Sequence, residues 1–236
     1  MIHMEELAIS TQNLRKFYKR GEVFDVGVDS VDISVKKGEF TSVMGPSGSG
    51  KTTLLNLIGA LDKPTDGKVI LDGIDLTAIP ERKLYKVRRD KLGFIFQSFY
   101  LVPTMTALEN ILLPTLPVGK KKFRERAEHL LKLVGLEGLE TKKVNLLSSG
   151  QQQRVAIARS LIMNPPIILA DEPTGNLDSQ TGSEIFHLLR DLSKKEGKTV
   201  MIVTHDTRIA KGTERIIFLK DGRISEKPSV ELNITF

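Results

Sequence analysis

The chain has 236 residues, of which 40% are hydrophobic and 27% are charged, a balance typical of globular proteins with one large core. It contains no cysteine, which excludes disulfides and zinc–thiolate sites and fits a cytosolic protein. Its net charge of +6 is spread along the chain and mixed with acids, so no nucleic-acid partner is expected.

Predicted strands alternate with predicted helices along the chain. The first half contains a predicted strand at 39–45, a helix at 51–61, β structure with Asp-Gly turns at 65–76, and a strand at 91–96. The rest contains helices at 106–113, 123–136 and 150–163, a strand at 166–172, a helix at 179–194 with Asp178 as N-cap, a strand at 199–205, and a hairpin at 214–224. This alternation predicts a parallel sheet covered on both faces, with a helical insertion at roughly 98–165.

The stretch GPSGSGKT at 45–52 matches the phosphate-binding pattern G-x-x-x-x-G-K-[ST]. Its glycines let backbone N–H groups point at an anion, and the helix beginning near Lys51 adds its positive end. Lys51 is predicted to reach the β- and γ-phosphates, and Thr52 to offer its hydroxyl to Mg²⁺. The predicted nucleotide contacts of this loop are Gly45, Pro46, Ser47, Gly48, Ser49, Gly50, Lys51, Thr52 and Thr53.

Polar residues follow three predicted core strands, at the sheet edge where α/β proteins bind ligands. Asp171 is predicted to hold Mg²⁺, and Glu172 to orient and deprotonate an attacking water. His205 is predicted to contact the γ-phosphate, although a lone histidine is usually structural. Gln97 is either a ligand of Mg²⁺ or water or an ordinary loop glutamine.

A second turn rich in serine and glycine occurs in LLSSGQQQRVAIARSL, at 146–161. It precedes an amphipathic helix, which is another way for a chain to offer backbone N–H groups to a phosphate. One domain therefore carries two stretches suited to phosphate, and the residues alone do not explain why.

These motifs, in this order and over essentially the whole chain, resemble those of the ATP-binding subunits of ABC transporters. GPSGSGKTT resembles the Walker A motif, FIFQ the strand entering the Q-loop, LSSGQQQR the signature motif, IILADEPTGNLD the Walker B motif and D-loop, and IVTHD the H-loop. The resemblance implies an α/β fold of the P-loop NTPase (RecA-like) type, with a parallel sheet, an N-terminal antiparallel β subdomain and an inserted helical subdomain. Residues 1–236 would form one ATPase domain, with 1–97 and 166–236 as core plus β subdomain and 98–165 as helical signature subdomain.

The resemblance also implies how the two phosphate-binding stretches are used. Two copies form an ATP-dependent homodimer, packed head to tail, and each lays its signature turn over the ATP and Mg²⁺ held by the other. The implied contacts outside the phosphate loop are Ser148, Ser149, Gly150, Gln151 and Asp178. The usual signature is L-S-G-G-Q, so Ser149 adds a side chain at a tight turn. An aromatic residue stacks on adenine in the family; Tyr18 is the match, with Phe17 as the alternate.

The residues within and between these motifs further resemble those of the subgroup serving lipoprotein-release, macrolide-export and FtsE-like systems. This implies ATP hydrolysis that powers a separate integral-membrane permease docking near Gln97, where FYLVPTMTALENI is either the docking groove or ordinary core. The N-terminus shows no targeting segment and no run approaches the roughly 20 apolar residues of a membrane span. The expected location is therefore cytoplasmic, peripheral on the inner face of the cell membrane.

Three other functions compete with this interpretation. A soluble ATPase resembling those of iron–sulfur assembly would share the nucleotide motifs. An SMC or repair ATPase would carry a long insertion, whereas only 95 residues separate Thr52 from Leu147 (147 − 52). A GTPase is disfavoured because the sequence has no N-K-x-D motif to read the base.

Overall fold

Two sheets of different kinds organise the chain in the computed structural model, which describes residues 6–21 and 23–226. The strands are β1 Leu7–Arg20, β2 Val23–Val31, β3 Ser34–Lys36, β4 Phe40–Met44, β5 Asp66–Leu71, β6 Ile74–Asp75, β7 Leu92–Phe96, β8 Ile167–Asp171, β9 Thr199–Thr204, β10 Arg215–Lys220 and β11 Arg223–Ser225. The helices are α1 Lys51–Ile58, α2 Glu81–Lys91, α3 Ala107–Leu112, α4 Arg124–Leu133, α5 Ser149–Leu161, α6 Ser179–Lys194 and α7 Thr207–Lys211. Residues 1–5, part of the stretch in which no targeting segment is predicted, lie outside the described residues.

The larger sheet has the strand order β11-β10-β4-β9-β8-β7. Strands β10, β4, β9, β8 and β7 run parallel, and β11 returns as the antiparallel arm of a hairpin with β10. The predicted parallel sheet and closing hairpin are therefore confirmed. Every residue of β4 and β9 is buried, as expected for strands covered on both faces. The carboxyl ends of β4, β8 and β9 meet at one edge, where the predicted site residues follow them.

The smaller sheet is antiparallel and forms the β subdomain, in the order β2-β1-β5-β6 with β3 also paired to β1. The 14-residue β1 pairs with β3 and β5 through its first half and with β2 through its second. Register shifts between Leu14 and Lys16 and between Lys16 and Phe17 mark where the strand changes partner. Such bulges bend a strand and re-aim its side chains. The second half of β1 carries Tyr18 toward the phosphate loop.

Three α-helices, α3, α4 and α5, occupy the chain between β7 and β8, the stretch predicted as helical. The predicted helix at 123–136 is shorter in the structure, where it spans Arg124–Leu133. Phe123 lies in a preceding 3₁₀ turn, and Gly135 adopts φ 72°, a left-handed conformation that commonly ends helices. The predicted helix at 179–194 is confirmed with the same bounds, capped by Asp178.

The hydrophobic core has one part on each face of the parallel sheet. Along β8, Ile168 and Ala170 belong to the part that contains α3, α4 and α5, whereas Ile167 and Leu169 belong to the part against α1 and the β subdomain. This alternation follows from the two-residue period of a strand. No helix among the described residues has the length and apolarity needed to span a bilayer.

Candidate nucleotide-binding site

The phosphate loop connects the end of β4 to the start of α1, and two of its glycines are required by close backbone contacts. A Cβ atom at Gly45 would lie 2.1 Å from the carbonyl oxygen of Leu219. A Cβ atom at Gly50 would lie 2.1 Å from the carbonyl oxygen of Gly27, and Gly50 has φ 98°. The loop is thus pressed between β10 and β2, in a conformation that only glycine adopts without strain.

Lys51, the first residue of α1, is buried and folds back over the loop. Its Nζ atom donates hydrogen bonds to the carbonyl oxygens of Gly45 at 2.9 Å and Pro46 at 2.8 Å. Burial lowers the pKa of Lys51, and the nearby carboxylates of Glu172 and Asp171 oppose that shift. A partly desolvated ammonium at a loop rich in N–H groups provides a strong electrostatic partner for phosphate.

The next residue, Thr52, lies against the carboxylate of Asp171 at the end of β8. The Thr52 hydroxyl donates to Oδ2 of Asp171 at 3.2 Å. Burial raises the pKa of Asp171, and the neighbouring Glu172 adds to the increase, while Thr52 and Lys51 oppose it. A hydroxyl and a carboxylate oxygen side by side fit Mg²⁺, which prefers oxygen ligands and completes its shell with water and phosphate.

Glu172 occupies an unusual backbone conformation, with φ 45°, which is rare for a residue other than glycine. Its N–H donates to the carbonyl oxygen of Val203 at 2.9 Å. Its carboxylate accepts hydrogen bonds from the Thr204 hydroxyl at 3.1 Å and from the His205 N–H at 3.0 Å. Glu172 is therefore held by the end of the neighbouring strand β9.

These residues line one cavity of about 620 Å³, within the size range of small-ligand sites. The lining residues are Tyr18, Val26, Gly27, Ser47, Gly48, Gly50, Lys51, Thr52, Thr53, Asp171, Glu172 and His205. Of the two aromatic candidates, Tyr18 lines the cavity and Phe17 does not. Val26 and Gly27 are lining residues that sequence reasoning missed, because no motif marks β2. A Cβ at Gly27 would lie 2.9 Å from Cε2 of Tyr18, so its lack of a side chain makes room for that ring.

The signature turn lies outside this cavity in the same chain. Ser148 caps α5: its Oγ accepts from the Gln151 N–H at 3.3 Å, while Oε1 of Gln151 accepts from the Ser148 N–H at 3.1 Å. Ser149 is the first helical residue and has an ordinary helical backbone. Its side chain is exposed, so it fits without strain. Gly150 is buried, and a Cβ there would lie 2.5 Å from Cγ2 of Thr181.

Two more predicted site residues, Asp178 and Gln97, bond to other parts of the chain rather than lining the cavity. Asp178 accepts hydrogen bonds from the N–H groups of Gln180 and Thr181, as the cap of α6. Gln97 donates from Nε2 to Oδ1 of Asn176 at 3.2 Å, and its own carbonyl accepts from Nδ2 of Asn176 at 2.9 Å. Neither residue lines the cavity that holds Lys51.

Comparison with known proteins places this geometry in a family. Residues 28–175, which run from β2 past the Glu172 turn, match the family model described as ABC transporter. The chain belongs to the ABC transporter family. It is the family's ATP-binding and ATP-hydrolysing subunit, and the P-loop NTPase fold predicted for it is confirmed.

Relatives of this ABC subunit match over nearly its whole length. The ABC transporter ATP-binding protein MJ0796 of Methanocaldococcus jannaschii is 51% identical over 225 residues, covering 93% of this chain and 96% of the relative. The lipoprotein-releasing system ATP-binding protein LolD of Anaeromyxobacter dehalogenans is 47% identical over 219 residues, covering 92% of each. A dimeric structure of MJ0796 in a post-hydrolysis state, bound to ADP and Pi, superimposes with a TM-score of 0.85 at 50% identity, covering 92% of this chain and 96% of that one.

Proposed function

We propose that two copies of this subunit pack head to tail around ATP, hydrolyse it, and thereby power a separate integral-membrane permease at the inner face of the cell membrane. The observation that carries the proposal is that one cavity gathers Lys51, Thr52, Asp171 and Glu172, while the equally phosphate-suited turn at Ser148 lies outside it. A turn that cannot serve its own chain's cavity is available to a second copy. The dimeric ADP- and Pi-bound structure of MJ0796 supports this arrangement.

Each residue at the cavity has a proposed role set by its chemistry. The loop at 45–53 and Lys51 bind the phosphates, and Tyr18 stacks on adenine. Thr52 and Asp171 hold Mg²⁺, which neutralises charge on the transferred phosphoryl group. Glu172 accepts the proton of the attacking water, and His205 orients the Glu172 carboxylate and contacts the γ-phosphate. Gln97, bonded to Asn176 here, stays a prediction as ligand of metal or water.

The signature helix supplies the other wall of the proposed site. The amino end of α5 carries the partial positive charge of the helix dipole, and Ser149 and Gly150 present its first N–H groups. The N–H groups of Ser148 and Gln151 bond to each other's side chains, so these two residues are proposed to contact the triphosphate through their side chains. The attraction between this helix end and a triphosphate in the partner's cavity is strongest when water is excluded. Asp178 is proposed to lie at the same interface. Loss of the γ-phosphate removes much of the bridging charge and lets the copies separate.

A mixing experiment tests the shared site. Ser148→Arg disables the signature, and Glu172→Gln disables the base, so neither variant alone should hydrolyse ATP. In a mixed dimer, the cavity of the Ser148→Arg copy keeps its own Glu172 and receives the intact signature of the other copy. We expect mixing to restore phosphate release to a sizeable fraction of the wild-type rate. Mixtures as inactive as either variant would contradict the head-to-tail arrangement.

The permease is proposed to dock in a groove of about 460 Å³ between α2, β7 and the helical insertion. Its apolar lining includes Tyr85, Phe94, Phe96, Pro117 and Met163. The predicted docking stretch 99–111 does not line this groove: the ring of Tyr100 lies beside it, 5.2 Å from the ring of Phe96, and Ile111 is fully buried in the core. Exposed apolar surface of this kind marks interaction sites. The name of the lipoprotein-releasing relative LolD supports release of a lipoprotein as the cargo, and export of a macrolide or peptide stays a prediction.

Matched surface variants test the permease contact. Tyr85 is 50% exposed in the groove, and Phe24 is 61% exposed on the distant strand β2. Tyr85→Asp should lower co-purification with the permease about tenfold, as expected for a buried interface aromatic. Phe24→Asp should leave co-purification unchanged. If both substitutions lowered co-purification equally, or if neither lowered it, the groove would be excluded as the permease docking site. If the subunit co-purified only with soluble assembly proteins, the iron–sulfur alternative would be favoured.

A further inference from the structure

Tyr18 is held from several sides by residues that no nucleotide-binding motif contains. Its hydroxyl donates to Oδ2 of Asp62 at 3.0 Å. The Nζ of Lys16 lies 5.0 Å from the centre of the Tyr18 ring and donates to Oδ1 of Asp62 at 2.7 Å. The ring edge lies over Gly27, which has no side chain to displace it. The aromatic ring is thus fixed by a hydrogen bond, a cation–π contact and van der Waals packing.

Asp62 is itself fixed to the helix that begins at the phosphate loop. It lies in the turn after α1, and the N–H groups of Leu61 and Asp62 both donate to the carbonyl oxygen of Asn56, in the last turns of that helix. The Lys63 N–H donates to Oδ1 of Asp62, and Lys16 also donates to the carbonyl oxygen of Lys63, both at 2.7 Å. Helix α1 therefore holds phosphate-binding residues at one end and the partner of Tyr18 at the other.

Asp62 does not line the nucleotide cavity, so its effect on nucleotide must pass through Tyr18. The Tyr18 hydroxyl is a donor at physiological pH, as for any tyrosine; burial raises its pKa further, and Asp62 adds to the increase against the opposing Thr53. A ring held in one orientation loses less rotational freedom when a base stacks on it. An alanine at position 62 would release both Tyr18 and Lys16.

We propose that Asp62 is a positioning residue for nucleotide binding, which orients Tyr18 for the base while α1 orients Lys51 and Thr52 for the phosphates. This inference rests on the proposed stacking of adenine on Tyr18. It assigns to the Lys16–Asp62 pair a contribution to affinity for nucleotides but not for phosphate alone. Inorganic tripolyphosphate, which has no base, is therefore the probe that separates base positioning from damage to the phosphate loop.

Isothermal titration of the full chain with ADP and with tripolyphosphate tests this assignment. Asp62→Ala should weaken ADP about fivefold, in line with the net value of a typical hydrogen bond, and leave tripolyphosphate within about twofold. Asp62→Asn keeps an acceptor for the Tyr18 hydroxyl and should retain most of the ADP affinity. The control Asp66→Ala removes a more exposed carboxylate at the start of β5, 4.0 Å from Arg15, and should change neither ligand's affinity.

A double-mutant cycle with Tyr18→Phe decides whether Asp62 acts through the hydroxyl. In the Tyr18→Phe background, Asp62→Ala should cause little further loss of ADP affinity. Full additivity, unchanged ADP binding in Asp62→Ala, or equal loss for ADP and tripolyphosphate would overturn the inference. Tyr18→Ala distinguishes failure of the stacking hypothesis from failure of the Asp62 hypothesis. If Tyr18→Ala leaves ADP affinity intact, adenine does not stack on Tyr18. If Tyr18→Ala lowers ADP affinity but Asp62→Ala does not, stacking stands and only the role of Asp62 is wrong.

Discussion

Glu172 and His205 follow adjacent strands, β8 and β9, and are joined by a hydrogen bond of 2.7 Å between Oε1 of Glu172 and Nδ1 of His205. The backbone N–H of His205 donates to the same oxygen at 3.0 Å. The Glu172 side chain is 15% exposed, whereas that of His205 is 72% exposed. An exposed histidine thus orients a mostly buried carboxylate, an arrangement suited to a base and its orienting partner.

Replacement of Glu172 by Gln should abolish turnover while leaving ATP binding intact. Glutamine has the size of glutamate, and its Oε1 can still accept the hydrogen bond of the His205 N–H, but its amide cannot take a proton from water. We expect phosphate release to fall by about 10²- to 10⁴-fold, the usual value of general base catalysis. Size-exclusion chromatography with Mg-ATP should then show a persistent dimer. Turnover within tenfold of wild type would rule out Glu172 as the base.

Replacement of His205 by Ala removes the orienting contact but keeps the carboxylate. We expect the hydrolysis rate to fall about 10²-fold, since a misplaced catalytic group commonly costs this much, while ADP affinity changes less than threefold. His187 is an exposed histidine of α6 and provides the control, because His187→Ala should retain the wild-type rate. Equal rates for the two variants would show that His205 has no part in hydrolysis.

Asp171 is predicted to lower the stability of the nucleotide-free protein. Its pKa is raised chiefly by burial, so the ionised form is disfavoured in the folded state. A raised carboxylate pKa costs stability at neutral pH, and the cost shrinks as pH falls below the folded-state pKa and is lost once pH passes below the unfolded-state pKa. Asp171→Asn should therefore raise the thermal midpoint at pH 7 while abolishing Mg²⁺-dependent hydrolysis.

The pH dependence of the rise in thermal midpoint caused by Asp171→Asn tests this explanation. The difference in thermal midpoint between Asp171→Asn and wild type should shrink as pH is lowered, because wild-type Asp171 becomes protonated and loses its charge. Measurements without nucleotide or divalent cation isolate this effect. A difference that grows on acidification, or a lower midpoint at neutral pH, would mean that the charge of Asp171 stabilises the fold.

Ser149 occupies the position where the family's signature usually has glycine, and the structure explains why it fits. The residue has ordinary helical backbone and is exposed at the start of α5. Ser149→Gly should lower the free energy of unfolding by less than about 1 kcal/mol, the upper limit for glycine in a helix. ATP-dependent dimer affinity, measured in the Glu172→Gln background by sedimentation, should change less than threefold. A tenfold gain would show that the serine side chain obstructs the interface.

Local sequence was enough to predict the elements that have strong local signals. The strand ending at Asp171, the loop before Lys51 and the capped helix after Asp178 are confirmed, because buried parallel strands and helix caps have strong local signals. Of the β subdomain, the residues themselves predicted only the β structure at 65–76, and the rest was expected from the family resemblance. In β1 the polar run around Lys16 and Lys19 hides the alternation that would mark a strand.

The sequence by itself determined the chemistry of this protein: a phosphate loop, two acids after one buried strand, a histidine after another, and a second phosphate-suited turn. Only the tertiary structure decided which of these groups meet. Parallel strands bring Asp171, Glu172 and His205 to one edge, whereas Gln97 bonds to Asn176 and Ser148 caps its own helix away from the cavity. It also decided that Asp62 and Gly27, which belong to no motif, hold Tyr18. Sequence motifs reflect the local conformation of short segments, but contacts between distant segments depend on how strands and helices pack.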